Sequence, residues 1–299
     1  MPMGSDAAVG MIGLGLMGAA LSARLLDAKI AVVGFDIDAA KCSALKAIGG
    51  ETADTIGQLA ARCQNIVVAV FNAEQVMSLL DELAQGAKQN PPLLICTTTC
   101  APGEIADIAG RAARAGLPLL EAPISGTSAE VGAGSATALI AGAPERIAQA
   151  GAILDILCPQ QIKLRKIGDA SRTKLAINLI LQSNRAALAE GIAFAESLGL
   201  DAAAFLAAAR QSAAYSKVMD SKGQKMLARD FAPQSHLAQT LKDAELILNE
   251  ASRRNLPLPM TSTQAALLRA AILLAGPDCD SAAVIEAIRP ARGRTGETR

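Results

Sequence analysis

The stretch that decides the fold is Val9-Gly10-Met11-Ile12-Gly13-Leu14-Gly15-Leu16-Met17-Gly18. The apolar run at 8–12 predicts a buried strand, and the amphipathic stretch at 17–26 predicts a helix. The glycines between them are spaced Gly-x-Gly-x-x-Gly. The first permits a tight turn, the second lets a ligand approach the backbone, and the third lets helix and strand pack closely. The stretch therefore predicts a strand–turn–helix unit whose turn binds phosphate.

The alternation of strand and helix continues through the first half of the chain. Apolar runs predict strands at 31–36, 66–70, 93–96, 117–121, 136–141 and 162–166. Helical patterns lie between them at 39–48, 74–85 and 102–115, and a further helix begins near Pro144. This order is typical of βαβ units, so we expect an α/β fold with a Rossmann-type, doubly wound parallel sheet.

After Gly168 the strand pattern stops and only helical patterns remain. They predict helices at 173–197, 201–211, 215–228, 235–254, 261–275 and 281–288. We therefore expect a dinucleotide-binding domain at 1–167 and an all-α domain for substrate binding and oligomerisation at 168–290, joined by the long central helix. Residues 291–299 are charged and predict a flexible tail.

The composition excludes several classes of function. Of 299 residues, 28 are Lys or Arg and 28 are Asp or Glu, so no net charge attracts nucleic acid, and an aromatic content of 2% provides no platform for stacking bases. No window is apolar enough to span a membrane. With one His and no CxxC pair among six Cys, no metal site is expected. The scattered Cys residues predict a reducing compartment, hence the cytoplasm, and no disulfide between Cys96 and Cys100 is expected.

Asp36 ends the second predicted strand, 23 residues after Gly13. A carboxylate at this spacing accepts hydrogen bonds from a ribose 2′-hydroxyl and repels a 2′-phosphate. No Arg follows within the next four residues, which favours NAD over NADP. Two alternatives stay open: a structural turn that binds no cofactor, and Asp36 as an ordinary surface acid.

Two further segments contain groups suited to catalysis. Lys174 and Asn178 lie four residues apart in the long helix, among apolar neighbours that predict burial. Burial lowers the pKa of a lysine, which makes it a usable proton donor or acceptor near neutral pH. The segment 125–128, just beyond a strand, offers three hydroxyl groups and a glycine that suit a carboxylate. An exposed lysine and an ordinary loop are the alternatives.

Four motifs, in order along nearly the whole chain, give it a resemblance to the β-hydroxyacid dehydrogenases, which include 3-hydroxyisobutyrate dehydrogenase and L-threonate dehydrogenase. They are Gly13-Leu-Gly-Leu-Met-Gly18, Pro123-Ile-Ser-Gly126, Gly168-Asp-Ala-Ser-Arg-Thr-Lys174-Leu-Ala-Ile-Asn178 and Leu241-Lys-Asp243. The segments at 72 and 97–102 are most similar to the threonate-type members. The resemblance implies a dinucleotide cofactor, which Asp36 predicts to be NAD, a small hydroxy acid as the substrate and a homodimer or homotetramer.

The resemblance also implies residue roles. Lys174 would be the general acid/base, with Ser125, Gly126, Thr127 and Asn178 binding the substrate. The cofactor would be bound by Gly13, Gly15, Leu16, Met17, Gly18, Asp36, Asn72, Thr99 and Lys242.

The chain departs from the family pattern at three positions. Glu121 stands where Asp is common, and Thr127 stands where a second Gly is common, which narrows the pocket or adds a contact. Ile177 stands where 6-phosphogluconate dehydrogenases have His, so decarboxylation of a phosphosugar is not expected. His236, the only histidine, is interpreted as a polar residue at a helix end.

The sequence therefore predicts an NAD-dependent dehydrogenase that transfers hydride between nicotinamide and the hydroxyl-bearing carbon of a 3-hydroxyisobutyrate- or threonate-like acid. One alternative is an NADPH-preferring reductase of glyoxylate or small semialdehydes. Another is a protein that binds or senses the dinucleotide without catalysis. Pocket residues near Ser216, Lys217 and Phe231 are candidates for selecting the substrate.

Overall fold

The computed structural model describes residues 8–87 and 90–289. The chain forms two compact units that divide between Ala176 and Ile177, inside a long helix. The predicted boundary at 167/168 lies shortly before this division, and the predicted tail at 291–299 lies outside the described residues.

A six-stranded parallel sheet forms the centre of the first unit, in the order β3-β2-β1-β4-β5-β6. The predicted doubly wound sheet is thereby confirmed. Its strands are β1 (Val9–Ile12), β2 (Val32–Phe35), β3 (Glu51–Thr52), β4 (Asn65–Val68), β5 (Leu93–Cys96) and β6 (Leu119–Glu121). The strand order reverses between β1 and β4, and a ligand crevice in such a sheet forms at the carboxyl ends of the strands on either side of this reversal.

Helices cover both faces of the sheet. For this reason β1, β4 and β5 are buried along their whole length. They are α1 (Leu16–Asp27), α2 (Ala39–Ala47), α3 (Ile56–Arg62), α4 (Ala73–Ala87) and α5 (Pro102–Arg114). Each face has its own apolar core, with Met11 and Val67 on one side and Ile66 and Leu80 on the other. The short elements β3 and α3 were not predicted, because they are too short for a clear period.

The last part of the first unit forms a separate three-stranded sheet, in which β7 pairs antiparallel with β8 and β8 pairs parallel with β9. Its elements are β7 (Ile124–Ser125), α6 (Ser128–Gly132), β8 (Thr137–Ile140), α7 (Pro144–Leu157) and β9 (Gln160–Lys163). The strands predicted near 136 and 162 belong to this second sheet, since β6 is the edge of the main sheet. An antiparallel bridge between Glu121 and Ala141 connects the two sheets.

The second unit is helical in its described part. Helix α8 (Asp169–Ser197) enters it from the first unit and is followed by α9 (Ala202–Arg210), α10 (Val218–Ala228), α11 (Leu237–Ser252), α12 (Pro259–Ala275) and a 3₁₀-helix (Ser281–Ala287). Leu188, Ile192, Leu206 and Leu268 belong to its apolar core. No helix within 8–87 and 90–289 has both the length and the apolar character needed to cross a bilayer.

Candidate active site

The glycine turn between β1 and α1 has the geometry that the sequence predicts. Gly13 has a φ of +88°, and a Cβ there would lie 2.5 Å from the carbonyl oxygen of Ala69, which follows β4. A Cβ on Gly18 would lie 1.9 Å from the carbonyl oxygen of Gly13. A Cβ on Gly15, by contrast, would meet no atom within 4 Å. The first and third glycines are therefore required by packing, whereas the second lies beside open space.

The start of α1 is suited to a phosphate group. Gly15 provides no side-chain cap for this helix, and no acidic residue lies in its first turn. The N-terminus of a helix has a partial positive charge and N–H groups directed outward. The open space beside Gly15 thus matches the site where a pyrophosphate would bind, and the residues fit a dinucleotide.

Asp36 follows β2 and connects it to the glycine turn. Its Oδ2 accepts a hydrogen bond from the Leu14 N–H at 2.7 Å, and its Oδ1 accepts one from the Asp38 N–H at 2.9 Å. The Lys41 ammonium lies 3.6 Å from Oδ1, and the Lys41 side chain is 44% exposed. Sequence reasoning missed this lysine because it considered only an arginine next to Asp36. Lys41 puts a positive charge beside the carboxylate that was expected to repel a 2′-phosphate.

Asn72 and Thr99 lie beyond β4 and β5. The Asn72 Oδ1 accepts a hydrogen bond from the Gln75 N–H at 2.9 Å, so this side chain caps α4. The hydroxyl of Thr98 bonds to the carbonyl oxygen of Val70 at 3.1 Å and thereby links the ends of the two strands. Thr99, the next residue, is half-buried. Both predicted cofactor residues therefore lie at the carboxyl end of the sheet, on the same side as the glycine turn.

Three of the predicted substrate-binding residues lie at the end of β7 and in the loop that follows it. Gly126 has a φ of +151°, and a Cβ there would lie 2.8 Å from the Cβ of Ala136. Thr127 forms a capping box with Glu130: its N–H donates to Glu130 Oε2 at 2.8 Å, and its Oγ1 accepts from the Glu130 N–H at 3.2 Å. Ser125 is half-buried at the end of β7. Thr127, which departs from the family pattern, is therefore the N-cap residue of α6.

Lys174 lies in the second turn of α8 and is only 6% exposed. The start of this helix is bound by the carboxylate of Glu121, which accepts hydrogen bonds from Gly168 and Ser171. This contact explains why α8 begins at Asp169, four residues before the predicted start. The predicted burial of Lys174 is confirmed.

In the helical unit, Asn178 is 4% exposed and donates from Nδ2 to the Asp243 Oδ2 at 2.9 Å. The Lys242 ammonium lies 2.9 Å from the other oxygen of Asp243. These contacts set the rotamer and the amide orientation of Asn178. Sequence reasoning recognised the Lys-Asp motif but gave Asp243 no role, because nothing in the sequence indicates which side chain it meets.

Further polar side chains are buried along α8. Gln182 donates to the carbonyl oxygen of Thr240 at 3.2 Å and accepts from Gln264 at 2.7 Å. Arg185 is buried one turn further, and burial lowers the pKa of its guanidinium to about 10 despite the opposing effects of Asp280 and Asp243. These polar side chains are buried, whereas the apolar side chain of Ile180 on the same helix is 61% exposed.

Two other expectations concern metals and histidine. Among the described residues, no group of three or more His, Cys, Asp or Glu side chains is arranged to hold a metal ion. His236 is the N-cap residue of α11, and its Nδ1 lies 2.7 Å from the carbonyl oxygen of Asp278. This agrees with its interpretation as a polar residue at a helix end. All six cysteines are free thiols.

Two family models cover most of the chain. Residues 8–163 match the NAD binding domain of 6-phosphogluconate dehydrogenase, and residues 168–288 match the NAD-binding domain of NADP-dependent 3-hydroxyisobutyrate dehydrogenase. These matches divide the chain near Gly168, as the motifs do.

Individual relatives extend over a similar length. The chain is 28% identical to an L-threonate dehydrogenase of Cupriavidus necator over 85% of this chain and 86% of the relative. It is 25% identical to glyoxylate/succinic semialdehyde reductase 2 of Arabidopsis thaliana over 96% and 80%, respectively. The crystal structure of a 3-hydroxyisobutyrate dehydrogenase from Salmonella typhimurium covers 94% of the chain with a TM-score of 0.86 and 26% identity, and 99% of that structure is matched.

Proposed function

Because the chain belongs to the β-hydroxyacid dehydrogenase family, and is therefore a nicotinamide-dependent hydroxyacid dehydrogenase, we propose that it acts on a small 3-hydroxy acid with Lys174 as its general acid/base. The substrate would be 3-hydroxyisobutyrate-like or threonate-like, as the names of its relatives suggest.

The observation that most supports this proposal is the burial of Lys174 at 6% exposure. Removing an ammonium group from water is costly, and desolvation favours the neutral amine. A neutral amine accepts the proton of a substrate hydroxyl during oxidation and returns it during reduction. The bound dinucleotide would accept or supply the hydride.

The loop at 125–127 would bind the substrate carboxylate. The Ser125 hydroxyl and the Gly126 N–H are the proposed donors, and a positive φ at Gly126 brings this backbone into the loop without a side chain. The capping box formed by Thr127 stiffens the loop, and the methyl group of Thr127 would narrow the pocket. The roles proposed for Asn178, as a substrate ligand, and for Lys242, as a cofactor ligand, rest on the resemblance alone.

NAD is the proposed cofactor. Support comes from Asp36, whose carboxylate lies at the end of β2 where a ribose hydroxyl would bind. Lys41 favours the second candidate, an NADPH-preferring reductase of glyoxylate or a small semialdehyde, because its ammonium could pair with a 2′-phosphate. Comparing kcat/KM for the two cofactors decides between them, and a ratio in favour of NADP would contradict the ribose argument.

The Lys174→Ala variant tests the proposed chemistry. Loss of a general acid/base lowers kcat by about 10²–10⁴-fold, while the dissociation constant of NAD is expected to stay within threefold of wild type. Lys166→Ala removes an exposed lysine shortly before the same helix and serves as the control with normal turnover. Wild-type turnover by Lys174→Ala, across a panel of three- and four-carbon hydroxy acids, would contradict the proposal.

We also infer a cytoplasmic location and a homodimer or homotetramer. The free cysteines support the first inference. Exposed apolar side chains on the helical unit support the second, since Phe194 is 65% and Leu273 is 88% exposed. Light scattering of the purified enzyme measures the oligomeric state, and a monomer at micromolar concentration would contradict this inference.

A further inference from the structure

Glu121 is a buried carboxylate that accepts hydrogen bonds from three donors at the start of α8. It is 1% exposed. Its Oε2 accepts a hydrogen bond from the Gly168 N–H at 2.6 Å, and its Oε1 accepts from both the N–H and the hydroxyl of Ser171 at 2.6 Å. All three donors are uncharged. The partial positive charge at the start of α8 therefore contributes to stabilising this carboxylate.

The donors belong to the chain that leads into α8. Gly168 precedes the helix with a φ of +91°, and Ser171, itself 1% exposed, lies in its first turn. The first N–H groups of a helix have no partner within the helix. Glu121 bonds to the N–H on either side of the helix start, so both the position and the direction of the first turn depend on this one side chain.

The backbone of Glu121 is held from two sides. In β6 it pairs with Cys96 of β5. It also exchanges two hydrogen bonds with Ala141, at 3.0 and 2.8 Å, which form the bridge between the two sheets. The carboxylate therefore projects from a backbone position that is hydrogen-bonded to Ala141 and paired with Cys96, and α8 begins at a place that the sheets determine.

We infer that Glu121 is a positioning residue for Lys174. Lys174 lies three residues after Ser171, and Ser125 lies four residues after Glu121. One buried residue thus connects the start of the helix that contains the proposed acid/base with the strand that leads to the proposed carboxylate loop. Misplacement of a reacting group by about 1 Å can cost about 100-fold in rate. The inference rests on the proposed function of Lys174.

The Glu121→Gln variant tests this inference. The glutamine amide has one NH₂ group, so a donor faces either the Gly168 N–H or the Ser171 N–H, whichever way the amide is turned. We expect kcat to fall at least tenfold while the dissociation constant of NAD stays within twofold. Glu121→Asp keeps both oxygens and the charge on a shorter side chain, and we expect its kcat to lie between those of wild type and Glu121→Gln.

The same substitution in the Lys174→Ala background separates positioning from stability. If Glu121 acts through Lys174, Glu121→Gln lowers kcat no further in the enzyme that lacks Lys174, whereas the fall in melting temperature is equal in both backgrounds. Asp201→Ala, which removes the carboxylate cap of α9, is the control for stability loss with normal kcat.

Ser171→Ala removes one donor only and provides a milder variant should Glu121→Gln not fold. We expect its kcat to be severalfold lower than that of wild type, and we expect no such loss in the Lys174→Ala background.

Two results would overturn the inference: a normal kcat for both Glu121→Gln and Ser171→Ala, or an equal fold-loss with and without Lys174. If Lys174→Ala is impaired while both variants turn over normally, the proposed function stands and only the positioning role fails. If Lys174→Ala keeps wild-type turnover, the proposed function fails and the positioning role fails with it.

Discussion

The two units hold their polar groups in different ways. In the first unit, the candidate groups follow strand ends and bond mainly to nearby backbone, as Asp36 does with the N–H of Asp38. In the helical unit, buried side chains pair across helices. Asn178 with Asp243, Gln182 with Gln264 and Lys222 with Asp280 are separated by 65, 82 and 58 residues, respectively.

This difference shows where each unit is vulnerable. Ligand binding by a loop at a strand end depends on the backbone conformation of the loop, so a single added carbon can block the ligand. A buried pair depends on both partners, because the loss of one leaves the other desolvated without compensation. Substitutions in the helical unit should therefore cost stability first, and those in the glycine turn should cost binding first.

The largest effect is expected at Lys222 and Asp280, which are 1% and 0% exposed, with Nζ and Oδ1 2.8 Å apart. Burial lowers the pKa of Lys222 to about 8. Replacing Asp280 with Asn leaves the ammonium without its counter-charge, at a cost of about 3–5 kcal/mol in the free energy of unfolding. Urea denaturation measures this loss. Arg269→Ala, which breaks an exposed pair with Glu245, should stay within about 1 kcal/mol of wild type.

The same pair predicts a dependence of stability on pH. Burial alone would raise the pKa of Asp280, but Lys222 and the backbone N–H groups of Ala282 and Gln234 lower it below the ordinary value of 3.8. Since the folded pKa lies below the unfolded one, the contribution of Asp280 is fully present above the unfolded pKa and is lost as pH falls through the folded pKa. In the Asp280→Asn variant, the free energy of unfolding should depend less on pH in this acid range. An unchanged pH dependence would contradict the assignment.

The next largest effect is expected in the glycine turn, where two alanine substitutions should differ. Gly15→Ala adds a Cβ that meets no atom within 4 Å, so stability should be unchanged while the dissociation constant of NAD rises about 10- to 100-fold, or about 1.4–2.7 kcal/mol. Gly18→Ala adds a Cβ 1.9 Å from the carbonyl oxygen of Gly13, so both stability and binding should fall. Isothermal titration and thermal melting measure the two quantities. Normal NAD binding by Gly15→Ala would place the cofactor elsewhere.

The smallest effect is expected at Thr127. Thr127→Ala removes the cap of α6 and should lower the free energy of unfolding by about 1 kcal/mol. Because this cap stiffens the loop proposed to bind the carboxylate, KM should rise more than kcat falls. Thr127→Ser retains the hydroxyl and should restore both values. Unchanged stability of the alanine variant in chemical denaturation would contradict the capping role.

Much of the first unit could be predicted from the sequence. Gly13, Gly18 and Asp36 have roles that depend on spacing within one βαβ unit, and their geometry agrees with the spacing. The separate three-stranded sheet could not be predicted, because an apolar run does not specify which strand it pairs with. Lys41 was missed for a different reason, since a motif defined by arginine does not include it.

The contacts that hold the start of α8 were also beyond prediction. Glu121 appeared only as a departure from a family pattern, and neither Gly168 nor Ser171 indicates a carboxylate some 50 residues earlier as its partner. Asp243 was recognised by its motif, but its bond to Asn178 requires the packing of two helices.

The sequence by itself determined the order of the longer strands and helices, the glycine turn, the acidic residue after the second strand and the lysine-bearing central helix. These features follow from local periodicity and short spacings, which chain geometry translates directly into structure. Only the tertiary structure decided which buried polar groups meet. A hydrogen bond between distant residues depends on the whole fold, and the cost of leaving a buried charge or amide unpaired favours arrangements in which such groups meet.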